Sequence, residues 1–161
     1  MLNRYAHALF CDEIRREDSG KFLFIGVYTQ RMIVDRFPVR LPTFAILVDA
    51  VTPVDSPFEW LTLTITKDGD VLRRMKLNAS RLPSATQHQL QIERAQDAGD
   101  ELEIFTIKAH ARFSPLNLES PGTLRVVVET DDGTYLAGKL AIAPADTEAT
   151  RKNDQETSHE D

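Results

Sequence analysis

Residues 121–142 read PGTLRVVVETDDGTYLAGKLAI, and this stretch decides the fold class. Leu124, Val126 and Val128 alternate with Thr123, Arg125 and Glu129, the period-two pattern of a strand with one buried face. Asp131-Asp132-Gly133 follows as a tight turn, in which Gly133 is expected to supply a positive φ. Leu136, Leu140 and Ile142 then predict a returning strand with one apolar face. An antiparallel hairpin closing a series of similar segments places the chain in the all-β class.

The same reading extends towards the amino terminus. Along 101–113, Phe105, Ile107, Ala109, Ala111 and Phe113 face one way, while Thr106, Lys108, His110 and Arg112 face the other. Leu61, Leu63 and Ile65 alternate with Thr62, Thr64 and Thr66; Lys67-Asp68-Gly69-Asp70 turns the chain, and Val71–Leu77 returns it. Thr43–Val51 (TFAILVDAV) and Phe22–Tyr28 (FLFIGVY) are densely apolar and are expected as central strands covered on both faces. Arg4–Cys11 and Met32–Val34 complete the series. Residues 80–99 are read either as a strand, from His88, Leu90 and Ile92, or as a short helix. The expected architecture is an immunoglobulin-like β-sandwich of about eight or nine antiparallel strands, spanning residues 1–144 as a single domain.

Charge and composition bound the function. The net charge of −6 is uneven, with −4 carried by residues 145–161 and −2 by residues 1–144. The first 144 residues therefore have little net field to attract phosphate, and no nucleic acid is expected as a partner. Residues 145–161 lack apolar side chains beyond alanine and are expected as a flexible acidic tail. Cys11 is the sole cysteine, which excludes an intramolecular disulfide and suits a reducing cytoplasm. Arg4 and His7 interrupt any signal-peptide core, Phe10 precedes Cys11 where a lipoprotein needs a small residue, and no membrane span is expected.

Catalytic chemistry finds little to build on. His7, His88, His110 and His159 have no metal-ligand spacing, so neither a metal nor another cofactor is expected. His7 and His110 could be neighbours across a sheet. Cys11 reads as a small buried hydrophobe, and the seven glycines form no phosphate-binding loop. The run Asp12–Asp18 lacks calcium-loop spacing, and its charges suit a solvated strand end or hairpin edge. The best basic feature is the stripe Lys108, His110 and Arg112, which with Arg125 would make an anion-binding face. Trp60 joins these four as an interaction-surface residue.

The opening segment HALFCDEIRREDSGKFLFIGVYTQRMIV resembles the amino-terminal signature of a family of small uncharacterised bacterial and phage-associated proteins. The matching positions are Cys11, Asp12, Glu13, Ile14, Arg15, Gly20, Lys21, Ile25, Gly26, Val27 and Tyr28. That resemblance implies no assigned activity. The residues favour a non-catalytic binding or accessory module recognising another protein. One rival is a structural subunit of a larger bacterial or phage-type assembly, as a homo-oligomer. Another is an enzyme assembled from Asp12, Glu13, His7 and His110. A carbohydrate-binding variant would need Trp60 and a tyrosine on one flat surface.

Overall fold

The structure, a computed structural model, describes residues 4–78 and 104–145. The strand-or-helix question at 80–99 and the tail beyond Ala145 lie outside the described residues. Within them run β1 (Tyr5–Arg16), β2 (Phe22–Tyr28), β3 (Arg31–Val34), β4 (Val39–Leu41), β5 (Phe44–Pro53) and β6 (Trp60–Lys67). They are followed by β7 (Asp70–Asn78), β8 (Ile104–Phe113), β9 (Leu116–Leu118), β10 (Gly122–Thr130) and β11 (Thr134–Pro144). The class is all-β. The strand number exceeds the expectation because β4 and β9 span only three residues each, too short for alternation to register.

Two sheets carry the fold, ordered β2-β1-β5-β8 and β3-β11-β10-β6-β7, with β4-β9 as a small ladder. The β5-β8 pair faces a sheet containing β6, β10 and β11, in the manner of immunoglobulin-type sandwiches. The 121–142 hairpin forms as β10 and β11 but does not close its sheet, because β3 adds beyond β11 in parallel. That parallel pair is an exception to the expected antiparallel pattern.

The core lies between the layers. Leu61, Leu63 and Ile65 of β6 and Leu124, Val126 and Val128 of β10 are at most 1% exposed and meet Phe10, Phe44, Ile46 and Val48 of the other sheet. Each such side chain contributes about 1.5–3 kcal/mol on burial, against roughly 0–1 kcal/mol for an exposed ion pair. Burial therefore dominates the stability. The layers come close at Gly138, where an added Cβ would lie 2.9 Å from that of Ala8 and 3.1 Å from the Phe10 ring.

Two local expectations need correction. Leu136 is 52% exposed, because a bulge beside Val126 and Val127 shifts the phase of β11 and turns Ala137 inward instead. Gly133 does not adopt a positive φ. Thr130 closes that turn, its Oγ1 accepting from the amides of Asp132 and Gly133 at 3.2 Å. The Asp68-Gly69 turn does use positive φ at both residues, 51° and 102°, as a two-residue hairpin requires.

Candidate functional site

β5 accompanies β1 only as far as Cys11, which pairs with Ala45. Beyond that point Glu13–Arg16 pair with Phe22–Ile25 of β2 alone. The β1–β2 hairpin thus leaves the sandwich as a two-stranded arm. Its turn closes through a hydrogen bond from the Glu17 amide to the Lys21 carbonyl at 2.9 Å, with Gly20 at φ 85°.

The root of the arm is built around Asp12. Directly opposite sits Gly26 at φ 65°, where an added Cβ would fall 1.9 Å from Asp12 Oδ2. Only glycine leaves room for this carboxylate. The Tyr28 hydroxyl donates to Asp12 Oδ1. Burial, reinforced by the Asp12 carboxylate, raises the Tyr28 pKa well above its ordinary value. The apolar face of β1 changes phase here: Cys11 and Ile14, three residues apart, share one small cluster with Ala45, Leu47, Leu9 and Phe24 on the outer face of the sheet. Arg112 of β8 ties the arm down, its Nη2 donating to the Ile14 carbonyl at 2.6 Å.

Beside the arm this outer face forms an open groove of about 460 Å³. Leu9, Leu47 and the stacked pair Phe22–Phe24, with centroids 6.3 Å apart, supply its apolar surface. His7, Lys21 and the Lys108–Asp49 pair supply its polar margin. Lys108 Nζ donates to both Asp49 oxygens at 3.0 Å.

FLFIGVY is therefore not a doubly covered central strand. Among the described residues β2 is the outermost strand of its sheet, with Phe22 40%, Leu23 46%, Ile25 38% and Val27 48% exposed. A short apolar run does not distinguish a covered strand from an edge, because hydrophobicity carries no information about neighbours. TFAILVDAV does occupy the centre, as β5 between β1 and β8.

The structure divides the predicted interaction residues. Lys108, His110 and Arg112 share the outer face of β8, but Asp49 neutralises Lys108 and the Ile14 carbonyl occupies Arg112. Arg125 and Trp60 belong to the other sheet. The four-residue anion stripe is not assembled, because the chain changes layers between β8 and β10. Nor does the enzyme quartet converge. Asp12 is bound by Tyr28 and Glu13 by Arg15, while His7 and His110 pair with different residues of β5, Asp49 and Leu47, which lies between them. Arg15, through its hydrogen bond, holds the Glu13 carboxyl below its usual range. Cys11 is buried, its thiol donating to the Ala45 carbonyl at 3.7 Å, and burial pushes its pKa up.

Among the described residues no cluster of three or more His, Cys, Asp or Glu could hold a metal ion, and no helix is long and apolar enough to cross a membrane. Asp12–Asp18 does run along a strand end and hairpin edge, as its charges suggest, but that the hairpin outruns β5 depends on tertiary pairing and is not legible in the sequence. Gly26 inside an apolar run marks the close approach of Asp12.

Residues 6–143 match a family of unknown function, DUF6941. The chain belongs to the DUF6941 family. The DUF6941 match runs from Ala6 in β1 to Ala143 in β11, and so takes in both sheets, the arm and the groove. Membership agrees with the resemblance of the opening segment to an uncharacterised family. None of the curated proteins matches the chain.

Proposed function

We propose that this DUF6941 chain is a non-catalytic binding module that takes an extended segment of another protein onto the β2 edge. The observation that carries this reading is the outermost position of β2, with four large apolar side chains exposed along it. Such an edge is a template for strand addition, in which backbone hydrogen bonds give affinity and side-chain pockets give specificity. The adjacent groove supplies such a pocket, with Phe22 and Phe24 on its wall. The engagement of Asp12, Glu13 and Cys11 in structural contacts supports a role without catalysis. A buried single thiol suits the cytoplasm as the compartment.

Quantitative capture from the source cells tests this, comparing the full chain with Ile25→Lys and with Val71→Lys on the opposite sheet's edge. A set of proteins lost with the first variant and kept with the second supports the reading. An unchanged set with Ile25→Lys overturns it.

One observation favours self-assembly, as a subunit of a bacterial or phage-type particle, as the second reading. An antiparallel pairing of two β2 strands about Ile25 sets Leu23 against Val27 and Lys21 against Thr29, with no like charges opposed. The Cys-Asp-acid-Ile-Arg to Ile-Gly-Val-Tyr signature and its phage association stand with this reading.

A further inference from the structure

The five-stranded sheet turns Leu61, Leu63, Ile65, Leu124, Val126 and Val128 inward, so the alternate positions of its strands form a second outer face. Strand register places the cations there. Arg125 lies directly opposite Lys139, and Arg31 pairs with Ala141, one alternate position further along β11. Arg74 pairs with Thr64 and Lys76 with Thr62 at the β7 edge. All five cations are exposed. Among the described residues none of them forms an ion pair.

Among the described residues, Glu129 and Asp68 bring carboxylates to this face. Glu129 shares the face, four residues along β10 from Arg125 and roughly 13 Å away. It lies opposite Thr62, whose other neighbour is Lys76, so it bears on the β7 edge and not on the Arg125–Lys139 pair. Asp68 senses Arg125, but its oxygens are taken by Lys67 Nζ at 2.6 Å and by the Thr123 amide at 2.8 Å. Like charges directly opposed on adjacent strands destabilise a sheet. In a chain of net charge −6, the unneutralised Arg125–Lys139 pair is thus a local inversion of sign that folding does not explain.

We propose that this face docks a carboxylate-rich extended segment of a partner protein, across the sandwich from the arm. Charge complementarity selects the chemistry of the occupant. The face argues for protein over nucleic acid. Sheets that hold single strands stack bases on exposed aromatic rings, whereas among the described residues the aromatic ring of this face, Trp60, is half-buried with Lys76 Nζ 6.0 Å from its centroid. A long polyanion also meets the repulsion of the net negative chain, while a short acidic segment can seat on the Arg125–Lys139 pair, away from Glu129. Thr62 and Thr66, half-buried between the cations, add hydroxyl donors for carboxylate oxygens.

The test uses the full chain and polyglutamate, read by titration calorimetry and by the emission of Trp60, the only tryptophan in the sequence. Saturable binding is expected, weakened about tenfold or more by Arg125→Glu with Lys139→Glu and by added salt. The neutral pair Arg125→Gln with Lys139→Gln is expected to give a smaller loss and serves if charge reversal disturbs folding. Ile25→Lys on the arm is expected to leave binding unchanged, which separates this proposal from the one for β2. Absence of binding at low salt, equal binding by all variants, or tighter binding of a DNA oligonucleotide of matched charge would each overturn the proposal.

Discussion

Arg112 reaches from β8 to the carbonyl oxygen of Ile14, 98 residues away in sequence, and donates to it from Nη2 at 2.6 Å. Ile14 lies just past the point where β5 ceases to pair with β1. A side chain thus replaces the missing strand at the root of the arm. Arg112→Ala is expected to loosen the arm by about 1 kcal/mol and leave the sandwich intact. Hydrogen exchange should then quicken at Glu13–Arg16 and Phe22–Ile25 while β5, β6 and β10 keep their protection.

Gly20 and Gly26 both have positive φ, but only Gly26 has a carboxylate against its Cα. Gly20→Ala carries backbone strain alone and is expected to cost about 1 kcal/mol. Gly26→Ala also drives a methyl into Asp12 and is expected to cost about 2–3 kcal/mol more. Denaturant unfolding of the two variants measures the difference.

These contrasts show what was legible in the sequence. The core residues of β6 and β10 were, because alternation over eight or nine residues records which face is buried. The place of β2 was not, since FLFIGVY reads alike at the centre and at the edge of a sheet. The cationic face was half visible. Arg125 and Trp60 were singled out, but their neighbours Lys139, Arg74 and Lys76 come from strand register, which follows from tertiary pairing. Grouping Arg125 with Lys108 meets the same limit: their strands are next but one along the chain, yet β8 and β10 belong to different sheets.

Acid should weaken the fold through its surface pairs. Asp132 is held below the usual aspartate range by the Tyr135 hydroxyl and then by Arg4; Lys67 and the Thr123 amide do the same for Asp68. A carboxyl group with a lowered folded pKa stabilises fully above its unfolded value, near 4, and loses that contribution as the pH falls through its folded value. The melting temperature is expected to be level from about pH 5 to 7 and to fall below about pH 4, with a shallower fall in Asp132→Asn. Thermal melts across this range check both outcomes.

Cys11 should resist alkylation until the fold opens. It is fully buried, and burial raises its pKa, so little thiolate is present at neutral pH. Iodoacetamide labelling followed by mass spectrometry is expected to track unfolding in denaturant. Rapid labelling of the native chain would show instead that the cluster beneath the arm opens locally.

Site-specific photo-cross-linking from Leu23 and Ile25 in the source cells tests most directly whether β2 is a recognition edge. Covalent adducts with a distinct partner protein are expected from both positions, and none from Val71 at the far edge of the other sheet. Adducts with a second copy alone would replace recognition of another protein by self-assembly. Equal labelling from all three positions, or none from β2, would contradict the account.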